Sequence, residues 1–480
     1  MSGYLVMGEQ LWQRSAAQHD EEKKVIKEGR VPDACLKICV GITLFGLIIG
    51  LRLPLITPVI TPDSRLYLLL ADNVILNQCY SRSDPQLAQC IPSWEGQAPG
   101  YPLFIAAVKL IAGADPVYIV IAQLLVFASA AVYALLSFYS WHKCTGCLII
   151  SGVILAVSPI TIAWPRWVLT ETLAAATSLW FFAEILRSLG VRKLRVLPLS
   201  MAIAAGVLVR WDQVCLLVPA ALCAFYLVPL KGTLWQFSKI AAAAALPIMI
   251  MATRAAALGL AVLPPLLSNS SLPKGAVEFW QHASLNQNAT SGFLWRIWDK
   301  EYDGIAREFD YSSILAEFDT AQFRNVLERI STLPQHSDLP AEIDAQLEKL
   351  ARPSNPRTIN FLLPVMRAFP LWSSRDNLYW SGWIPLRHGT KAEMVAHVYR
   401  MMLLLILLSL ILLTKRRERI ALASLLSYVA SRTLFLTSLT ALEIRYLTPM
   451  LPAMEIILLP LLCRVTAGSQ NRGLVPGRSP

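Results

Sequence analysis

Long apolar runs decide what this chain can fold into. They extend from Ile38 to Ile56, Val117 to Phe138, Leu148 to Ala163, Leu197 to Val209, Val214 to Pro229, Ile240 to Leu263, Met401 to Leu413, Ile420 to Leu439 and Leu447 to Leu462, with Thr172 to Leu186 as one more. About 20 apolar residues at 1.5 Å rise cross a hydrocarbon core of about 30 Å. The pattern therefore predicts a mainly α, polytopic transmembrane protein of about ten spans. Composition agrees: 55% of the 480 residues are hydrophobic, 16% are charged and mean hydropathy is +0.49. Soluble domains carry nearer 25% charged residues.

A formal charge of +11 would suit a nucleic-acid partner, but the basic residues stand where membrane topology needs them. Arg14, Lys23, Lys24, Lys27 and Arg30 precede the first run. Arg187, Arg192, Lys193 and Arg195 fill one short connection, and Lys415, Arg416, Arg417 and Arg419 fill another. Arg464, Arg472 and Arg478 follow the last run. Alternation from a cytoplasmic N-terminus puts every group inside, as the positive-inside rule requires. Both termini are then cytoplasmic and the number of spans is even. The first run follows a polar head and lacks a small-residue cleavage site, so it reads as an uncleaved anchor in a cytoplasmic membrane.

The expected organisation is a cytoplasmic segment 1–34, a transmembrane module 35–263 with an outer loop 57–100, an extracytoplasmic domain 264–394, C-terminal transmembrane helices 395–466 and a cytoplasmic tail 467–480. The outer domain holds 15 of the 32 acidic residues, counted along the chain. Within it, Leu294 to Phe318 has apolar residues at helical spacing, which suits either a membrane-surface helix or an ordinary core helix. The stretch 370–389 is rich in Trp and Tyr and is expected at the bilayer interface. Asn269-Ser-Ser and Asn288-Ala-Thr are formal glycosylation triplets that chance also produces. Most of the nine cysteines fall in spans or on the inner side, where thiols stay reduced. Cys79 and Cys90, in the outer loop, suit a disulfide or two thiols equally. Cys144 and Cys147 form a lone CxxC without the four ligands a structural zinc site needs.

Asp63 is the first acid after the first run, in Thr-Pro-Asp-Ser. The stripe Leu66, Leu69, Leu70, Asn73 and Val74 that follows can lie flat on the membrane. A carboxylate there is placed to act as a base toward a substrate arriving from the bilayer, and is equally a favoured helix N-cap. Arg65, Arg166, Arg210 and Arg445 fall at outer ends of spans, where cations can hold a lipid phosphate. Their structural readings are snorkelling for Arg65 and ion pairs of Arg210 with Asp212 and Arg445 with Glu443. Glu171 opens a span, where an acid also complements the helix dipole. Tyr101 in Pro-Gly-Tyr-Pro suits a turn residue, and Tyr67 a stacked interfacial tyrosine. No nucleotide-phosphate loop is present, and the histidines show no metal spacing.

PDSRLYLLLADNVI followed by QAPGYPLFIA resembles the first outer loop of GT-C-fold membrane glycosyltransferases, the group of the protein O-mannosyltransferases and the bacterial aminoarabinose (lipid A) transferases. SPITIAWPRWVLTETLAAA, AAGVLVRWDQV and LEIRYLTPMLP are similar, in order, to further motifs of that group. The resemblance covers about residues 38 to 265 and the C-terminal end, and is weak between. It implies a GT-C-like transmembrane module with amphipathic outer helices and one small outer domain. It also implies an inverting transferase that moves a sugar from a polyprenyl phosphate to an acceptor hydroxyl on the outer face. On that reading Asp63 is the catalytic base or the ligand of a divalent metal such as magnesium or manganese. Arg445, Arg166, Arg210 and Arg65 hold the donor phosphate, and Glu171, Tyr67, Tyr101 and Tyr446 line the substrate site. Relatives carry a second acid where this chain has Ser64, which weakens a metal site more than a base. The expected partners are the lipid-linked donor, membrane lipids and a glycan, lipid or protein acceptor, with no nucleic acid. A transporter or flippase of a lipid-linked intermediate is the rival from another class, and a ligase of whole glycans a rival within enzymes. A transporter needs polar groups buried midway along several spans, whereas these runs look largely free of central charge.

Overall fold

The computed structural model describes residues 37, 41, 57–81, 83–86, 97–142, 144–158, 164–257, 273–284, 293–294, 296–297, 299–316, 318–352, 362–373, 390–439 and 444–472. Among them it is helical, with two isolated β-bridges and no strand. The first expected span and most of the aromatic stretch 370–389 lie outside the described residues. So do Cys90 and both glycosylation triplets.

At the expected outer side stand α1 (Pro62–Asn77) and α2 (Gly100–Ala112). α3 (Pro116–His142), α4 (Thr145–Val157), α5 (Glu171–Val191), α6 (Val196–Val209), α7 (Leu217–Leu227) and α8 (Leu230–Ala257) follow the apolar runs. α9 (Lys274–Ala283), α10 (Ile305–Glu308), α11 (Thr320–Ser331), α12 (Ala341–Leu350) and α13 (Leu363–Ser373) belong to the polar region. α14 (Thr390–Leu413), α15 (Arg416–Leu439) and α16 (Leu451–Arg472) close the chain. Pro116–His142, Leu230–Arg254 and Glu418–Ser438 are long and apolar enough to cross a membrane, and Thr145–Ala156, Val196–Val209, Trp211–Leu227, His397–Leu413 and Leu451–Leu462 are shorter apolar helices.

α5 is the axis of the main core. Leu173, Ala174, Phe181, Phe182, Ile185 and Leu189 are all buried, and the helix packs against α3, α6, α15 and α16. Nearly every residue from Glu171 to Leu189 is buried, so neighbouring helices enclose α5 on all sides. At the expected inner end, Glu184 pairs with Arg195 at 2.6 Å and accepts from the Tyr133 hydroxyl, while Arg187 lies 4.3 Å over the Tyr133 ring.

A separate apolar cluster fills the polar region, with Phe279 stacked on Phe323 at 3.9 Å. Leu294 to Phe318 does not form the single helix its spacing predicts. The chain turns left-handed at Lys300 (φ 56°) and Gly304 (φ 73°), and α10 and a 3-10 turn at Tyr311–Ser313 follow. Each turn delivers one apolar residue inward, so Ile297, Tyr302, Ile305, Phe309, Ile314 and Phe318 are buried in that cluster. Of the two readings, the core wins over the membrane surface.

Two cysteine expectations change. Cys144 and Cys147 are joined by a disulfide, because the N-terminal turn of α4 brings their Cα atoms to 5.3 Å. Cys79 is also disulfide-bonded, to a partner outside the described residues.

Gly100 fixes how closely α2 approaches the outer end of α6. A Cβ there would stand 2.6 Å from the Leu208 carbonyl oxygen, whereas one at Gly146 would meet nothing within 4 Å. Gly100→Val should therefore cost about 1–3 kcal/mol by overpacking, and Gly146→Ala, at an open helical position, should stabilise by up to about 1 kcal/mol. Thermal unfolding of the purified protein in detergent reads both, with opposite signs.

Candidate functional site

The start of α1 is built by its sequence. Thr61 is the N-cap: its Oγ1 accepts from the Ser64 amide at 3.1 Å, and the Thr61 amide donates to Ser64 Oγ at 2.9 Å. Both members of this capping box are small hydroxyls. Asp63 is therefore not the cap, which corrects one of its two readings. It stands half-buried in the first turn, where the helix dipole favours a carboxylate. Ser64, in the place of a second acid, is committed to the cap.

The structure divides the expected stripe on α1, with Leu70 and Asn73 buried in the protein. The buried face of α1 is Ser64, Tyr67, Leu70, Ala71 and Asn73, while Leu66, Leu69 and Val74 are only half-buried. Asn73 Nδ2 donates to the carbonyls of Ser81 and Ser83 at 2.9 and 2.7 Å, which ties down the loop beyond the helix.

A closed ring of contacts holds the expected outer face together. Tyr67, one turn after Asp63 on the same face, meets Tyr101 edge-on at 5.0 Å. The Tyr101 hydroxyl donates to Gln123 of α3, whose Nε2 donates to the carbonyls of Pro165 and Trp167 at 2.9 and 3.1 Å. The turn Trp164–Arg166 returns to α1 through a parallel bridge, in which Val59 N donates to Arg166 O at 2.9 Å and Val168 N to Val59 O at 3.3 Å. The segment that leads into Asp63 and the turn that carries Arg166 are thus joined backbone to backbone. Arg166 is half-buried, and burial lowers its pKa. Burial also pushes the fully buried Tyr101 hydroxyl well above its ordinary value.

Beside the ring lies a chain of buried ions. Arg210, at the end of α6, reaches Thr170 Oγ1 at 3.0 Å and Glu171 Oε1 at 3.1 Å, and its other edge reaches Asp212 at 3.1–3.3 Å. Tyr446 covers its guanidinium at 4.7 Å. Asp212 also takes Arg432 of α15 at 2.8 Å. Arg432 Nη1 donates to the Tyr428 hydroxyl at 2.8 Å, and that hydroxyl meets Ser178 at 2.9 Å and Gln213 at 3.0 Å. In this outer turn burial disfavours the charge on Arg210, but Asp212 and Glu171 outweigh it and leave the pKa raised. Burial likewise opposes the Asp212 carboxylate, and Arg210 with Arg432 outweighs it to hold its pKa low.

The expected site residues therefore divide. Glu171, Arg210 and Tyr446 form one cluster, and Tyr67 and Tyr101 belong to the ring with the backbone of Arg166. Arg65 is exposed, and the Arg445 side chain is outside what the structure describes. The spans are less free of charge than their hydropathy suggests. Arg432 and Glu184 sit inside them, and so does Glu455, whose Oε1 accepts from Ser158 at 2.7 Å and Tyr399 at 2.6 Å. Sequence reasoning missed Arg432, Tyr428, Gln213 and Glu455, although an ionisable residue inside a span is a functional signal by default.

Among the described residues no three His, Cys, Asp or Glu gather as metal ligands. Magnesium and manganese ask for several oxygen ligands, and with Ser64 tied into the cap Asp63 does not fit such a site.

Among solved structures the chain is similar to two crystal structures of ArnT from Cupriavidus metallidurans. The one bound to undecaprenyl phosphate shares 12% identity at a TM-score of 0.36, over 94% of this chain and 82% of that one. The one in the apo state shares 12% identity at a TM-score of 0.35, over 90% and 78%. No family model and no curated protein matches the sequence. A likeness this loose transfers no residue roles, and the site stands on its own geometry.

Removing Asp212 would leave Arg210 and Arg432 with one carboxylate between them. Asp212→Ala should destabilise by about 3–5 kcal/mol, and adding Arg432→Met should recover part of the loss, because a buried charge left without its partner is the expensive state. Unfolding in detergent measures both, and a loss below about 1 kcal/mol would place the ion chain in water.

Proposed function

We propose that the chain is an inverting membrane glycosyltransferase of the GT-C type, which transfers a sugar from a polyprenyl phosphate to an acceptor hydroxyl at the outer face of a cytoplasmic membrane. The observation that carries the reading is a convergence. Segments similar to four motifs of that group, at Asp63, Arg166 to Glu171, Arg210 to Asp212 and Tyr446, meet at the outer ends of the helices.

Asp63 would accept the proton of the acceptor hydroxyl while that oxygen attacks the anomeric carbon from the face opposite the phosphate. The bond from carbon to phosphate oxygen breaks, and the phosphate leaves with the electron pair, which inverts the centre. Arg166 would take the phosphate, since its turn is bonded to the segment that carries Asp63. Arg210 would position rather than bind, because Glu171, Asp212, Thr170 and the Tyr446 ring already occupy it.

One observation bears on the transporter reading. Phe181 and Phe182 are buried on α5 between Ser178 of the outer cluster and Glu184 of the inner one. These two rings close the roughly 9 Å of helix between the polar groups, so no polar line crosses the core there.

Asp63→Asn should lower transfer from a labelled polyprenyl-phosphate sugar by about 100-fold or more, and the roughly 0.3–1 kcal/mol of its dipole contact should be lost from stability. Thr61→Ala should do the reverse, with about 1 kcal/mol lost through the cap and turnover largely kept. Near-normal turnover in Asp63→Asn would sink the proposal. Arg166→Gln should raise KM for the donor by about 10-fold or more, in line with the loss of a charge-assisted hydrogen bond.

A further inference from the structure

α13 carries an apolar stripe on the face turned away from the protein. Leu362, Val365 and Phe369, spaced by three and four residues, are 52%, 58% and 72% exposed. The opposite face is buried: Leu363, Leu371 and Trp372 join the two cores, and Arg367 is 3% exposed. Every fully exposed residue described on this helix is thus large and apolar, and its only charge points inward.

Two contacts set the depth of α13. Arg367 Nη1 donates to the Thr437 carbonyl at 3.3 Å, and Trp372 Nε1 to Thr433 Oγ1 at 3.1 Å. Thr437 is next to last in the apolar segment Glu418–Ser438, and Thr433 lies about 6 Å deeper at 1.5 Å per residue. α13 therefore descends beside α15 through the outer boundary of the membrane. Leu434, between those two threonines, is itself 44% exposed, and α14, which also packs on α13, exposes Val398 and Leu405. The stripe continues the lipid-facing surface of the spans.

We infer that α13 is a membrane anchor, which dips beside α15 and sinks Leu362, Val365 and Phe369 into the acyl boundary of the outer leaflet. Arg367, on its other face, fastens it to the polar region. There the guanidinium donates to the carbonyls of Ser284, at 2.6 and 2.8 Å, and Gln281, at the C-terminal end of α9, where a cation is favoured. The drop of about 6 Å from Thr437 to Thr433 is of the same order as the roughly 5–10 Å to which apolar faces enter the interface. Three side chains are too small an area for a stable contact with a second copy, which needs roughly 800 Å² per partner.

The test uses the full chain in vesicles of phosphatidylcholine and phosphatidylglycerol, with a fluorescent amino acid introduced at residue 369, or at Val365 should the first variant misfold. The same probe at Arg352, an exposed position in the polar region, serves as reference. Lipids that carry a nitroxide high on the acyl chain should quench the probe at 369 several-fold more than at 352, with aqueous iodide showing the opposite order. Equal iodide quenching at both positions would overturn the inference. Loss of lipid quenching as the protein-to-lipid ratio rises would also overturn it, by assigning the stripe to a second copy.

Discussion

The outer half of the protein depends on the line of alternating charge from Glu171 through Arg210 and Asp212 to Arg432. Each ion is nearly or fully buried, and none would be stable alone in a medium of low dielectric. Pairing is therefore compulsory, and it brings the ends of α5 and α6 against the body of α15. Apolar packing cannot do this by itself, because a leucine surface is as well satisfied by lipid as by another helix. Two cations and two carboxylates cancel, so the cluster is rigid and neutral rather than an open cationic trap.

That neutrality reorders the arginines. A guanidinium whose two edges and one face are taken has little left for a ligand. Arg166 is differently held: its turn is pinned by its own backbone to Val59, and the ring of Tyr67, Tyr101 and Gln123 reaches the same turn through the carbonyls of Pro165 and Trp167. On the proposed function, positioning and binding are thus divided between two clusters, one of ions and one of aromatic and amide groups.

Much of this was legible in the sequence and some was not, for identifiable reasons. The apolar runs announced the helices, because period and length are all that a bilayer requires of a span. Thr-Glu and Arg-x-Asp announced the polar cluster, but Arg432 was hidden in a run judged by mean hydropathy, which averages one charge away. Thr61 was hidden because a capping box usually shows Glu or Gln at its fourth position, and here Ser64 does that work. The region from Leu294 to Phe318 misled in the opposite sense, since short turns that each bury one residue imitate the spacing of a continuous helix.

The separation of Asp63 from its cap has a consequence for how the site is conserved under substitution. Had Asp63 been the cap, the same carboxylate would have had to hold the helix and meet a substrate, and any change would have cost both. With Thr61 and Ser64 closing the helix, the carboxylate of Asp63 carries no capping duty and stands in the first turn, where the helix dipole favours it. Its position is nevertheless fixed, because Tyr67 one turn later is locked against Tyr101 and the bridge at Val59 lies just before. A group held in place by its neighbours is what preorganised chemistry requires.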